Sequence, residues 1–219
     1  MFARVRSLAA KSVAGVALFL VVGNLLIVSA SMVARATTAL PPRPTLHGIA
    51  NLAAVDERVW RGAAPSTEGY RALAEHGVTT IVDLRAESDI HVPKTLLADL
   101  GMDHVAIPLR DGQAPIPNQV QAFLNTVRRS SGRVFVHCGA GVGRTGTMAA
   151  AYLVETEQAS SLQAARRNLA IGPPSLEQLA FAARLDDDAK GRPGAVLTLI
   201  SRVLDAPRRI WVNVTHAYA

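Results

Sequence analysis

The sequence predicts an α/β fold: a central, mostly parallel β-sheet flanked by helices, with an N-terminal hydrophobic helix ahead of it. Three observations carry this. From residue 58 onward, β-branched runs alternate with helix-patterned stretches, an order that places parallel strands in one sheet with helices on both faces. The length of 219 residues suits one domain of ordinary size with terminal extensions. Residues 12–33 carry no charge and are mostly Val, Ala, Leu, Ile and Gly, close to the roughly 20 apolar residues that cross a bilayer.

Taken in order, residues 1–36 join a basic flank (Arg4, Arg6, Lys11) to that apolar segment. Left uncleaved, it is a membrane anchor. Cleaved, it is a signal peptide, whose apolar region is normally about 7–15 residues, with small-residue cleavage options at Val28-Ser29-Ala30 and Ala34-Arg35-Ala36. A buried helix of a soluble protein is the third reading. Basic residues on the N-terminal side keep that end in the cytoplasm under the positive-inside rule. The expected location is therefore a single-pass membrane protein with its domain outside the cytoplasm, or an exported protein after cleavage. Arg35 and Arg43 on the other flank pull against that orientation.

Residues 37–45, with three prolines, read as a stiff linker, and the domain is expected over 46–188. Residues 58–61 predict a short strand. Residues 65–76 predict a helix with Pro65 in its first turn, Ser66 or Thr67 near its cap, and Gly77 ending it. The β-branched run 78–84 predicts a buried strand. A helix over 93–100, a strand over 103–107 and a helix over 117–130 follow. The last places Val120, Phe123, Leu124 and Val127 at i, i+3, i+4, i+7. Val134, Phe135 and Val136 make a short buried strand over 133–136. The alanine-rich stretch 147–155 is helix-prone, and helices over 161–170 and 175–187 complete the domain. Residues 189–219 form a basic, apolar extension. Its stretch 195–204 is too short to span a bilayer and has two readings: packing on the domain, or an interfacial helix with Arg208, Arg209 and Trp211 at the headgroups.

The formal charge of +6 is not a nucleic-acid signature. Residues 1–43 contribute +5 and residues 189–219 contribute +4, which leaves −3 for the middle of the chain. Basic ends beside apolar stretches fit anionic membrane surfaces better than a nucleic-acid groove. The single cysteine excludes an internal disulfide, a cysteine-based zinc site and a relay of several thiols. His47, His76, His91, His104, His137 and His216 are scattered without metal-ligand spacing. No metal and no cofactor is expected.

Residues 137–146, reading HCGAGVGRTG, concentrate the chemistry. A buried strand, a small-residue loop and a helix N-terminus in that order form an anion cradle, with backbone N–H groups pointing inward and the helix dipole favouring negative charge. The same field favours the thiolate of a cysteine placed there, so Cys138 is expected as a thiolate near neutral pH. An arginine beside it, Arg144, can hold two oxyanions at once. A thiolate beside a phosphate site attacks phosphorus.

The pattern His137-Cys138, five residues, Arg144-Thr145-Gly146 resembles the phosphate loop of the cysteine-dependent protein tyrosine and dual-specificity phosphatases, closest to their compact dual-specificity branch. The resemblance covers roughly residues 56–185. It implies a phosphatase-type fold with the site at the carboxyl end of the strand before Cys138. It also implies Cys138 as nucleophile forming a cysteinyl-phosphate. Gly139, Ala140, Gly141, Val142 and Gly143 would bind phosphate through their backbone. Arg144 would follow two phosphate oxygens through the transition state. His137 would order the loop from behind. Thr145 would donate to the Cys138 sulfur, with a helix N-cap as a competing or concurrent role.

A leaving alkoxide or phenoxide needs an acid on a nearby loop. Asp111, in the Gly- and Pro-rich stretch 107–117, resembles the family's acid, which later serves as base; Asp103, Asp99 and Asp89 are runners-up. The loop interior 139–143 holds no Lys or Arg, which favours a monophosphoryl group on protein over a phosphoinositide. Arg110 and Arg85 could add charge at the rim. Arg85 and Arg61 also suit structural ion pairs with acids such as Glu87 or Glu57. Gln178 in the stretch 175–181 resembles a water-positioning glutamine, but Pro174 stands where a second one belongs, so a plain helix surface competes. The expected function is phosphate monoester hydrolysis on phosphotyrosine proteins, with phosphoserine and phosphothreonine also open. A phosphoinositide or inositol phosphate phosphatase and a silent phosphate-binding module are the alternatives. The expected partners are a phosphoprotein substrate and a membrane through residues 12–33, with no nucleic acid and an open oligomeric state.

Overall fold

The computed structural model describes residues 2–42, 44–87, 93–187 and 191–216, with side chains from residue 14 to residue 207. The elements are α1 (Phe2–Thr37), β1 (Ala53–Ala54), β2 (Val59–Ala63), α2 (Thr67–Glu75), β3 (Val78–Arg85), α3 (Lys94–Asp99), β4 (Asp103–Leu109), α4 (Pro117–Arg129), β5 (Arg133–Cys138), α5 (Gly143–Glu155), α6 (Ser161–Ile171), α7 (Leu176–Ala183) and α8 (Ala195–His216). The sheet order is β1-β2-β5-β3-β4, with β2, β5, β3 and β4 parallel and β1 antiparallel at the edge. A mostly parallel sheet covered by helices is the fold class the sequence predicts.

Alternation along β5 divides the core. Val134, Val136 and Cys138 belong to the cluster formed with buried residues of α4, α5, α6 and α7. Phe135 belongs to the opposite cluster with Trp60, Tyr70, Leu73, Ile81 and Leu97 from β2, α2, β3 and α3. Phe135 has no solvent exposure, and truncating such a ring to alanine costs about 3–5 kcal/mol. All four apolar positions predicted for α4 are buried, and Pro117 starts that helix, where its missing N–H costs nothing.

Several boundaries differ from expectation. Ser66 is the N-cap of α2 and its hydroxyl accepts from the Gly69 N–H, so Pro65 precedes the helix rather than opening it. Strands β2, β4 and β5 each run about two residues further toward their carboxyl ends than the sequence suggested. Helix α5 starts at Gly143 instead of residue 147. Helix α7 stops at Ala183, and α8 extends well past residue 204, with Pro207 inside it.

Helix α1 lies against the domain at its C-terminal end. Ser31 Oγ donates to the Leu169 carbonyl at 2.7 Å, and Arg35 donates to the carbonyls of Ala170 and Ile171 at 3.2 and 2.7 Å. These are carbonyls of the last turn of α6, which lack intrahelical partners and favour a cation. Nearer the N-terminus, Asn24 donates to Leu204 of α8 at 3.3 Å, and the Leu204 side chain packs over Gly23. Val16, Leu18, Val21, Leu25, Leu26, Met32 and Val33 stay exposed along the rest of the helix. Its segment Ala14–Thr37, with a mean hydropathy of 2.4, is long and apolar enough to cross a membrane. Arg208, Arg209 and Trp211 lie beyond the described side chains.

Candidate active site

Cys138 ends the central strand β5, between β2 and β3, at the sheet edge from which the chain turns into α5. The loop 139–142 is held from outside by four hydrogen bonds from three residues. Ala64 N–H reaches the Gly139 carbonyl at 3.1 Å, and Asn51 Nδ2 reaches the Ala140 carbonyl at 2.9 Å. Arg61 Nη2 reaches the carbonyls of Gly141 and Val142 at 2.8 and 3.1 Å. In a trans peptide the next N–H points opposite to the carbonyl, so the N–H groups of Ala140, Gly141, Val142 and Gly143 turn inward. The Gly141 N–H donates to Cys138 Sγ at 3.3 Å.

Gly141 has no substitute here. Its φ is +72°, and a Cβ would stand 2.2 Å from the Gly62 carbonyl carbon and 2.4 Å from Ala63 N. Strand β2 therefore presses directly on the loop, which fixes its curvature.

Arg144 occupies the first turn of α5 and is buried. Its Nη1 contacts both oxygens of Glu87 at 2.9 Å and donates to the Leu109 carbonyl at 3.2 Å. Its Nε lies 3.4 Å from Asp111 Oδ1. Burial pulls the guanidinium pKa down, but the Glu87 bond and the Cys138 and Asp111 charges outweigh it and leave the pKa raised. Asp111 itself is partly exposed in the segment between β4 and α4.

That segment is fastened to the start of α7. Ser175 Oγ donates to the Gly112 carbonyl at 2.7 Å, Gln178 Nε2 to the Gln113 carbonyl at 3.3 Å, and Ala114 N–H to Glu177 Oε1 at 3.0 Å. Gln178 is fully buried, so the helix-surface expectation is corrected. Its Oε1 accepts from Ser175 N–H and sits where a Cβ on Gly143 would be, at 2.3 Å. Both ends of its carboxamide are engaged in bracing the segment that carries Asp111 and the helix cap.

His137 is fully buried, stacked on Phe135 at 5.8 Å, with Nδ1 3.2 Å from the Cys138 carbonyl and 3.9 Å from Asp83 Oδ1. Burial depresses its pKa to about 4 against the opposing pull of Asp83, so the ring is neutral at neutral pH.

Other expectations shift. Thr145 is not the N-cap, which is Val142, because α5 begins earlier; its hydroxyl is buried without a hydrogen-bond partner and makes no bond to the sulfur. Arg85 pairs with Asp83 at 2.7 Å rather than with Glu87. Among the described residues, Arg61 makes no acid pair of the kind expected but binds the loop and Asn168. Arg110 is exposed on the segment leading to Asp111. Asp103 opens β4 and Asp99 ends α3, both at the opposite end of the sheet from Cys138; Asp89 and His91 lie outside the described residues. Sequence reasoning missed Glu87 as the Arg144 partner, Asn51 and Asn168. None of these three carries a local motif.

The chain is similar to known phosphatases. A family model described as "DSP-PTPase phosphatase fused to NAD+ Kinase" matches residues 44–184. The Homo sapiens dual specificity protein phosphatase CDC14A is 38% identical over 81 residues, which make up 37% of this chain and 13% of that protein. The Arabidopsis thaliana phosphatidylglycerophosphate phosphatase PTPMT2 is 31% identical over 105 residues, 46% of each chain. The chain thus spans well under two thirds of either relative. The core catalytic domain of the S. cerevisiae PP-IP phosphatase SIW14 shares the fold, with a TM-score of 0.56 at 19% identity over 67% of this chain and 92% of that one. The protein belongs to the DSP-PTPase family, the cysteine-dependent phosphatases of dual-specificity type.

Proposed function

We propose that the protein hydrolyses phosphate monoesters through a cysteinyl-phosphate on Cys138. The observation that carries this is the 3.3 Å bond from Gly141 N–H to Cys138 Sγ inside a loop whose carbonyls are all tied outward. The sulfur and the amides face the same small space, and Arg144 borders it with Nε and Nη2 clear of Glu87. In the first step the Cys138 sulfur bonds to phosphorus as the ester P–O bond breaks, and Asp111 gives its proton to the leaving oxygen. In the second, water attacks phosphorus, Asp111 takes a proton back, and the S–P bond breaks to return the thiolate and free phosphate. The inward amides and Arg144 hold the charge that builds on the equatorial oxygens. His137, neutral and buried, orders the loop.

The substrate we favour is a phosphotyrosine protein, with phosphoserine and phosphothreonine as further members of the class. The loop interior brings no basic side chain, and the Glu87 carboxylate beside Arg144 adds negative charge that repels a second phosphate. A monophosphorylated lipid is the second reading. It is favoured by the apolar helix packed on the domain and by the likeness to the protein named phosphatidylglycerophosphate phosphatase. We read residues 12–33 as a retained membrane anchor with the domain outside the cytoplasm. Cleavage after Ala36 would remove Ser31 and Arg35 and uncover the carbonyls of residues 169–171.

An assay of the full chain in detergent against phosphotyrosyl peptide, phosphoseryl peptide, a monophosphorylated lipid and a phosphoinositide tests this. The expected order has the phosphotyrosyl peptide first and the phosphoinositide last. Turnover confined to the lipid would transfer the assignment to the second reading, and no turnover of any ester would leave a silent binding module. Mass measurement of the native N-terminus checks retention of the anchor.

A further inference from the structure

Arg61 lies behind the loop rather than in the pocket. It projects from β2, next to Val136 of β5 in register, and is only 4% exposed. Its Nη2 holds the carbonyls of Gly141 and Val142, and its Nη1 bonds to Asn168 Oδ1 of α6 at 3.2 Å. A buried guanidinium without a carboxylate is costly. The Cys138 sulfur lies on the other side of Gly141 from it, and although burial lowers the Arg61 pKa to about 10, the guanidinium stays protonated at neutral pH. Gly141 receives both ends of the arrangement: its carbonyl accepts from Arg61 and its N–H donates to the sulfur. Gly146 makes room for the clamp, since a Cβ there would stand 1.6 Å from Asn168 Oδ1.

We propose that Arg61 is a positioning residue for the reaction. It keeps the carbonyls of Gly141 and Val142 out of the pocket, so that the following N–H groups aim at the oxyanion, and it sets a permanent positive charge behind the nucleophile. The inference rests on the cysteinyl-phosphate reading. Among the described residues, Arg144 from α5 has Asp111 and Glu87 against it, and Asp83 of β3 is paired with Arg85 behind the neutral His137.

The test uses the full chain as wild type, Arg61→Met, Arg61→Lys and Asn168→Ala. Three quantities are read: vanadate inhibition, the pH profile of iodoacetate alkylation at Cys138, and Tm. Arg61→Met should weaken vanadate at least about tenfold, the scale of a lost oxyanion-site interaction, and move alkylation to higher pH. Arg61→Lys should restore the alkylation profile but only part of the vanadate affinity, because an ammonium lacks the fork that spans two carbonyls. A folded Arg61→Met protein with lowered Tm but wild-type vanadate affinity and alkylation would overturn the proposal. If Arg61→Met does not fold, Asn168→Ala decides: a several-fold loss of vanadate affinity supports the clamp, and none overturns it. A wild-type protein that resists both vanadate and alkylation would instead defeat the underlying cysteinyl-phosphate reading.

Discussion

Asp111 Oδ1 lies 3.4 Å from Nε of Arg144. The candidate proton donor thus stands beside the candidate phosphate-binding arginine before any substrate arrives. The segment that carries Asp111 is strapped to Ser175, Glu177 and Gln178 at the start of α7. The acid is held over the site by bonds from a distant helix rather than left to swing in.

Asp111→Asn removes the proton but keeps the shape. Hydrolysis of phosphate esters with poor leaving groups should fall by about 10²–10⁴, the usual share of general acid catalysis. Esters of activated phenols, which leave without a proton, should slow far less. Steady-state rates across a series of leaving groups check this, and equal slowing of all esters would remove Asp111 from the acid role.

Glu87 holds Nη1 of the Arg144 guanidinium, while Asp111 lies against Nε. Glu87→Gln should therefore weaken vanadate by about tenfold, within the range expected for a lost charge-assisted hydrogen bond. A gain in affinity would show that Glu87 competes with the oxyanion instead of orienting its partner.

Gly146→Ala puts a methyl group where Asn168 Oδ1 sits. Tm should fall by several degrees, corresponding to about 1–3 kcal/mol of overpacking. Adding Asn168→Ala to that background should recover most of the Tm loss, a non-additivity that contact predicts. Additive losses would show that Gly146 is needed for some other reason.

Stability should fall as the pH drops from about 6.5 to about 4. The folded state keeps His137 neutral until about pH 4, while the unfolded chain binds that proton near the ordinary value of about 6.5. In that window the unfolded state holds more protons, so acid favours unfolding. Burial disfavours the Asp83 carboxylate, but the neighbouring His104 and the hydrogen bonds from Arg85 win and hold its pKa below the ordinary range. Its contribution is lost only at still lower pH. Urea denaturation at stepped pH should show the His137→Asn variant less stable at neutral pH but flatter through this window. An unchanged slope would mean that another group titrates there.

The β5–loop–α5 unit was legible in the sequence because its parts are contiguous: a buried strand, small residues and an arginine within one turn of the helix. Helix α4 was legible because one burial pattern repeats along it. The supports of the loop were not. Asn51, Arg61 and Asn168 reach it or one another across separations of 89, 80 and 107 residues, and no local pattern marks such contacts. Arg85 was matched to Glu87, but β3 ends at Arg85, and Asp83, two residues back on the same strand, shares its face. Thr145 looked like a helix cap because Ser and Thr favour that position. The cap is instead Val142, three residues earlier, where the backbone has already turned. Gln178 read as surface because it is polar, yet it caps α7 and braces the acid segment.

The most direct test of the cysteinyl-phosphate is to capture it. The Asp111→Asn variant, mixed with an activated aryl phosphate and quenched in acid within the first turnover, should gain the mass of one phosphoryl group. Fragmentation should place that group on Cys138, and Cys138→Ser should show none on sulfur or elsewhere. Steady turnover with no protein-bound phosphoryl at any quench time, or a phosphoryl group on another residue, would contradict the account.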